Sequence, residues 1–98
     1  MATTARIASQ EAAATYTVSL AAGATHVFGT EDLAPIEAIT FLKKDSAGGY
    51  APIRYMEAGV AMTLELTNVR NEITMNGPVD LRISKPKTGV AVEVVEYT

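Results

Sequence analysis

The sequence predicts a small all-β protein: an antiparallel β-sandwich or jelly-roll-like barrel of about eight strands, preceded by an N-terminal arm. Two observations indicate this fold class. Apolar and polar residues alternate along several runs, which is the period of a half-buried strand, and these runs lack the three-to-four-residue spacing of a helix. Short segments with Gly, Pro and Asn separate the runs at regular spacing, as in sandwiches and barrels.

Four strands are predicted in the C-terminal half, over residues 60–66, 69–75, 79–84 and 90–97. Asn76-Gly77 lies between the second and third of these runs. Both residues tolerate a positive φ angle, so we expect a tight hairpin there with Gly77 in that conformation. The residues expected to point into the core are Leu64, Ile73, Leu81 and Val92.

Four further strands are predicted in the N-terminal half, over residues 15–20, 25–28, 36–42 and 50–55. The run 36–42 has apolar residues on both faces, which is typical of a central strand. Pro52 places the run 50–55 at a sheet edge. Between them, residues 29–35 are expected as a loop with a single helical turn, and residues 43–49 as an exposed hairpin tip.

Residues 1–14 are small, polar and Ala-rich, and Ile7 is their only large aliphatic residue beyond Met1. So little apolar surface predicts an arm that is flexible or that orders only against a neighbouring chain. A short helix capped by Ser9 is one form that the ordered arm would take. Residues 15–98 then form the β-sandwich domain.

Composition excludes several function classes. The 98 residues fit one domain, and the formal net charge of −3 argues against a nucleic-acid partner. No apolar run reaches the roughly 18–20 residues of a membrane span, so no membrane partner is expected. The chain has no Cys, which leaves no thiolate zinc site or cysteine nucleophile. It also has no Trp, and many of its hydrophobic residues are Ala, so the hydrophobic core is expected to be thin. A thin core favours stabilisation by assembly with other subunits.

No catalytic, cofactor or metal residue is predicted, and the chain is not expected to be an enzyme. His26 is the only histidine; it has no cluster of partners, so it is interpreted as a satisfied or interfacial side chain. Ser19, Ser46 and Ser84 all lack the G-x-S-x-G context of a hydrolase nucleophile.

The charged groups are interpreted as solvated surface. Glu31-Asp32 and the Glu93/Glu96 pair are acidic neighbours, but carboxylates do glycosidase chemistry only at a defined separation across a cleft. Asp45 is not in a regular calcium-binding loop. Two small basic tips are expected, Lys43-Lys44 at one and Lys85 with Lys87 at the other.

The aromatic residues leave a carbohydrate-binding interpretation open. Two exposed tyrosines on one face can stack a sugar ring. Tyr50 and Tyr55 differ in parity, however, so one strand cannot present both on the same face. This weakens the interpretation without excluding it.

The C-terminal half also resembles a known group of proteins. The resemblance rests on residues 61–66, on the run from Asn71 to Arg82 through Asn76-Gly77-Pro78, and on the Val-rich closing strand 90–95. These segments resemble small β-rich virion proteins of tailed bacteriophages, of the capsid decoration (cement) type. The resemblance implies a β-sandwich with an extended N-terminal arm and no catalytic residues or cofactor.

The same resemblance implies a role and a set of partners. The protein would be a structural subunit in the virion that stabilises the head by bridging shell subunits. Its partners would be the major capsid protein or other virion proteins, and it would form a homo-oligomer. A tail, baseplate or head-fibre component is the alternative in the same setting, and a carbohydrate-binding β-sandwich module is the alternative in another class.

Overall fold

A computed structural model describes residues 2–97, which form eleven β-strands and no helix. No helix in this range is therefore long and apolar enough to cross a membrane. The strands are β1 (Thr3–Gln10), β2 (Ala14–Leu20), β3 (Thr25–Thr30), β4 (Ile39–Lys44), β5 (Tyr50–Pro52), β6 (Arg54–Glu57), β7 (Val60–Thr63), β8 (Glu65–Leu66), β9 (Glu72–Asn76), β10 (Val79–Lys85) and β11 (Val92–Tyr97).

Nine of the strands form two antiparallel sheets with a jelly-roll order, and β6 and β7 form a separate two-stranded sheet. The first sheet runs β1-β11-β3-β9, and the second runs β2-β10-β4, with β5 and β8 both pairing with the far edge of β4. If β5 and β8 are counted as one interrupted strand, the sheets have the orders 1-8-3-6 and 2-7-4-5. This is the two-sheet, eight-stranded jelly-roll arrangement. The predicted all-β fold class is confirmed.

The core lies between the inner faces of the two sheets. Phe28 of the first sheet meets Phe41 of the second edge-to-face, with ring centroids 5.9 Å apart. Of the residues expected to point inward, Ile73, Leu81 and Val92 are buried, whereas Leu64 is only partly buried against the core. The buried apolar residues are Ile7, Leu20, Phe28, Leu33, Ile39, Phe41, Leu66, Ile73, Met75, Leu81, Ile83, Val92 and Val94.

Strand β4 is central, as its two apolar faces predicted, because β10 pairs with one edge and β5 and β8 with the other. Its start was predicted three residues too early. Ile36 is almost fully exposed and lies in a turn in which the Glu37 N–H donates to the Ala34 carbonyl at 2.9 Å. This turn replaces the helical turn expected within residues 29–35.

The predicted arm is wrong for residues 3–10, because they form β1 at the edge of the protein's own first sheet. The Ile7 side chain is buried in the core, and the backbone of β1 pairs with β11. The small residues around Ile7 are mostly exposed, which is why no alternation was visible in the sequence. No helix follows Ser9. Met1 of the predicted arm and Thr98 of the predicted domain lie outside the described residues.

The predicted Asn76-Gly77 hairpin is also wrong. Strands β9 and β10 belong to different sheets, so Gly77 lies in a crossover between them. Gly77 is not among the residues with positive φ. It is required for space instead, since a Cβ atom at this position would lie 1.9 Å from the Ala21 carbonyl oxygen.

Two other strand starts differ from the prediction. Val69 and Val90 are exposed in connections, and the strands begin at Glu72 and Val92. A valine at the start of an alternating run extends the pattern in the sequence. It does not show whether backbone partners are present at that position.

Candidate interaction surface

The most distinctive surface feature is the β6–β7 hairpin, formed by residues 54–63. Within residues 2–97, its two strands pair only with each other and belong to neither main sheet. The Leu64 N–H donates to the Ile53 carbonyl at 2.8 Å, which closes the hairpin at its base. The hairpin therefore interrupts the position of the fifth jelly-roll strand, between β5 and β8.

Local sequence explains the hairpin. Its strands join through Ala58-Gly59, where both residues have positive φ, at 50° and 81°. A two-residue turn with both central residues in this region matches the twist of paired antiparallel strands. One predicted strand ends at residue 55 and the next begins at residue 60, but residues 60–66 were predicted as one strand of the sandwich.

Both faces of the β6–β7 hairpin present apolar side chains to solvent. Met56 is opposite Ala61 on one face, and Glu57 is opposite Val60 on the other, next to Met62. Met56, Val60 and Met62 are all exposed. Leu64 was expected to point into the core from a strand over residues 60–66, but Met62, on the same face of that run, is exposed. Among residues 2–97, β7 pairs with β6 and with no strand of the two main sheets.

The base of the hairpin is fixed by one arginine. The Arg70 guanidinium lies 4.9 Å from the centre of the Tyr55 ring, and its Nη1 donates to the Tyr55 hydroxyl at 2.7 Å. Beside this contact is a groove of about 370 Å³, lined partly by Met62 and Val69. Val69 is strongly exposed, so the apolar surface continues from the hairpin across the groove.

A second groove, of about 360 Å³, lies on the outer face of the first sheet. Glu31, Asp32, Glu93 and Tyr97 are among its lining residues. The Tyr97 ring lies across Gly29, where an added Cβ would come within 2.6 Å of the ring. The structure thus brings together acidic residues and an aromatic ring that the sequence prediction treated separately.

His26 and Glu96 form a polar cluster with Arg6. His26 Nδ1 lies 2.5 Å from Glu96 Oε2, and Arg6 Nε donates to Glu96 Oε1 at 2.9 Å. Glu96 is buried and therefore differs from the solvated carboxylate that was expected. Burial raises the pKa of Glu96, but the hydrogen bonds and charges of His26 and Arg6 more than offset this, so the pKa is lowered overall.

The structure does not bring the serines into a triad with His26. Ser19 Oγ donates to Asp80, and Ser19 and Ser84 lie on the second sheet, whereas His26 lies on the first. Ser46 lies in the connection between β4 and β5. Among residues 2–97, no group of three or more His, Asp or Glu side chains is arranged to hold a metal ion.

The expectation that Lys85 is solvated is wrong. Its Nζ is buried and donates to the Ala12 carbonyl at 2.8 Å, the Pro86 carbonyl at 3.1 Å and Thr88 Oγ1 at 3.2 Å. Burial lowers the pKa of Lys85. The other three lysines of the two basic tips, Lys43, Lys44 and Lys87, are exposed as predicted. Lys85 therefore connects the β1–β2 loop, through Ala12, to the β10–β11 loop, through Pro86 and Thr88.

Tyr50 and Tyr55 do not share a strand, so the parity argument, which assumed a single strand over residues 50–55, does not apply to them. Tyr50 lies on β5 and Tyr55 on β6. Each has an arginine over its ring: Arg82 at 4.0 Å from the centre of Tyr50, and Arg70 over Tyr55. One face of each ring is therefore occupied by a guanidinium and is not open for stacking against a sugar.

Comparisons by sequence and by structure give no match to a protein family, to a characterised protein or to a solved structure.

Proposed function

We propose that this protein is a structural, non-catalytic virion protein: a capsid decoration or cement subunit that bridges shell subunits of a tailed bacteriophage. The single observation that carries the proposal is the β6–β7 hairpin with its exposed apolar side chains. The sequence resemblance in the C-terminal half supports the same class.

Among residues 2–97, the strands of the β6–β7 hairpin pair only with each other and not with the two main sheets. A two-stranded hairpin alone is only marginally stable in water, and apolar side chains gain about 25 cal/mol for each Å² removed from water. Met56, Val60 and Met62 are exposed on this element. A protein surface that covers them would stabilise the hairpin and bind the subunit in one step.

The jelly-roll strand order is compatible with the proposed class of protein but does not single it out. Jelly rolls occur in viral capsid proteins, and also in lectins and cupins. A fold by itself does not determine function. The strand order therefore limits the classes to be considered, and the hairpin favours adhesion among them.

Adhesion would stabilise the shell because binding of the subunit is thermodynamically coupled to the stability of the joint between shell subunits. A subunit that binds an assembled joint and not the separated shell subunits stabilises the joint by its binding free energy. A homo-oligomer would place several hairpins on the shell together, and linked contacts act at high effective concentration. Because residues 3–10 lie in the protein's own sheet, the hairpin replaces the N-terminal arm as the proposed contact.

A matched pair of substitutions tests the proposal. Val60 on the hairpin is 58% exposed, and Val90 in the connection before β11 is 54% exposed. Val60→Ser and Val90→Ser therefore remove equally accessible apolar groups from different surfaces. Occupancy on purified virion shells that lack the protein is measured by co-sedimentation over a range of protein concentrations.

We expect Val60→Ser to weaken shell binding about tenfold, which corresponds to about 1.4 kcal/mol, and Val90→Ser to leave it unchanged. Equal binding by all three proteins would exclude the hairpin as the contact. If the unaltered protein binds neither shells nor purified tails, the virion role is wrong. Binding to tails alone would favour the tail, baseplate or head-fibre alternative.

One observation favours a carbohydrate-binding role as the second candidate. The groove at Tyr97 combines an aromatic ring with the carboxylates of Glu31, Asp32 and Glu93. Aromatic rings present an apolar face, and carboxylates accept hydrogen bonds from hydroxyl groups. Glycan-array binding that is lost in Tyr97→Ala and retained in Val60→Ser would support this role over adhesion.

A further inference from the structure

We propose that Arg6, Glu96 and His26 form a pH-sensitive latch that holds strand β1 on the first sheet and releases it in acid. The inference concerns the free protein and does not depend on the proposed function. It would hold equally for a virion subunit or a glycan-binding module.

The first step is the position of Glu96 in the sheet. It lies on β11, between β1 and β3, and its side chain is buried. Arg6 approaches from β1, with Nε 2.9 Å from Oε1, and His26 approaches from β3, with Nδ1 2.5 Å from Oε2. One carboxylate thus connects three neighbouring strands.

The second step is the irregularity of β1. The register with β11 shifts between Ala5 and Ile7, and again between Ile7 and Gln10. A bulge interrupts the backbone ladder and re-aims the side chain at that point. Arg6 lies at the first shift, so its bond to Glu96 fastens β1 where the backbone pairing is broken.

The third step is the charge around Glu96. The charged or titratable groups facing it are Arg6 from β1 and His26 from β3. From the second sheet, the ring of Tyr16 lies near Arg6, 5.6 Å from the guanidinium carbon. From β9, Met75, which is opposite His26, adds no charge. Protonation of Glu96 would remove the carboxylate charge that Arg6 and the His26 ring both contact.

The direction of the pH effect follows from this arrangement. With β1 docked, the pKa of Glu96 is below its ordinary value. When β1 leaves, Arg6 leaves with it, and the pKa rises towards the ordinary value. The latch therefore contributes fully above the ordinary glutamate pKa and is lost as the pH falls through the lowered pKa.

The consequence is local. Strand β1 lies at a sheet edge and pairs only with β11 among residues 2–97. The second sheet and the β11-β3-β9 pairing contain none of its backbone bonds. Acid should therefore detach β1, withdraw Ile7 from the core and uncover the edge of β11 while the remaining sandwich stays folded.

Hydrogen exchange of the full chain, corrected for the intrinsic effect of pH on exchange, tests the latch. We expect protection of the β1 amides to fall about tenfold or more between about pH 7 and about pH 3, and protection of β4 and β10 to be retained. In Glu96→Gln, β1 should already exchange fast at neutral pH and show little further change. Glu93→Gln is the matched control, because Glu93 lies on the same strand but is exposed on the outer face.

Two further variants keep the latch falsifiable. If Glu96→Gln does not fold, Arg6→Gln removes the cation from β1 itself and should give the same loss of protection. His26→Gln removes one of the two side chains that lower the pKa of Glu96 and should move β1 release to a higher pH. The proposal is overturned if β1 protection falls only together with β4 and β10, or if Glu93→Gln loosens β1 as much as Glu96→Gln.

Discussion

Strands β10 and β7 have the same kind of sequence and opposite surroundings. In β10, Leu81 and Ile83 alternate with polar residues and are fully buried. In β7, Val60 and Met62 also alternate, yet both are exposed. β10 pairs with β2 on one side and β4 on the other, whereas among residues 2–97 β7 pairs with β6 alone. Alternation therefore predicts that a strand forms, but it does not show what covers the apolar face.

The difference should appear most strongly on truncation of the apolar side chains. Leu81→Ala leaves a cavity between the sheets, so we expect the free energy of unfolding to fall by about 2–5 kcal/mol. Met62→Ala removes an exposed side chain, and its cost should be about 0.5 kcal/mol or less. Chemical denaturation of both variants measures these changes. Similar losses for the two would mean that the hairpin is packed against the body.

The glycines of the two regions provide a second contrast. Gly77→Ala places a Cβ against the Ala21 backbone at 1.9 Å, so we expect it to cost about 3 kcal/mol through forced displacement of the crossover. Gly59 in the hairpin turn has φ of 81°, and a Cβ atom added there would have no atom within 4 Å. Gly59→Ala should therefore cost only about 1 kcal/mol, for the strained φ angle.

Thermal unfolding of the two glycine variants ranks these costs. A greater loss for Gly59→Ala would show that the turn of the β6–β7 hairpin contributes more to stability than the crossover does. The contrast between the two regions would then be reversed.

Many strands of the two main sheets were predictable because the alternation in their sequences coincides with an inner face that the opposite sheet covers. In β2 and β10, the alternation in the sequence coincides with a covered inner face, so the predicted bounds lie within one residue of the observed ones. At Val60, Val69 and Val90 the alternation continues into exposed segments. Nothing in the local sequence indicates that these three side chains are no longer covered by the opposite sheet.

The remaining errors concern long-range contacts. Strand β1 has one buried aliphatic residue and depends on pairing with β11, about 90 residues away in sequence. Glu96 is buried because Arg6 and His26 meet it from two other strands. The break between the predicted strands 50–55 and 60–66 matches the hairpin turn, but the sequence did not indicate that the hairpin is separate from the sheets. Such features depend on which strands become neighbours, and local periodicity does not contain that information.

The smallest effect that we predict within the two main sheets is the contribution of Lys85 to the pH dependence of the free energy of unfolding, and its sign is fixed. Burial lowers its pKa in the folded state, so the unfolded chain binds more protons as the pH approaches the ordinary lysine value. The free energy of unfolding should rise with pH through that range, relative to Lys85→Met. Lys87→Met is the control, because Lys87 is exposed on the adjoining loop.

Thermal unfolding from about pH 7 to about pH 10 measures this relative slope. Parallel pH profiles for the unaltered protein and Lys85→Met would contradict the buried-cation assignment. A slope that is also lost in Lys87→Met would assign the effect to the loop as a whole and not to the Lys85 ammonium.

The central claim is that the sandwich folds without the hairpin and that the hairpin performs the binding. Replacement of residues 54–63 by Asn-Gly tests both parts. Ile53 and Leu64 already form the hydrogen bond that closes a two-residue turn, and Asn-Gly suits such a turn. The new turn therefore joins β5 to β8 without moving either strand.

Denaturant unfolding and shell co-sedimentation of this variant form the decisive measurement. We predict a free energy of unfolding within about 1 kcal/mol of the unaltered protein, together with loss of attachment to shells. A variant that does not fold would show that the hairpin belongs to the body, and a folded variant that binds shells at full occupancy would contradict the proposed role of the hairpin.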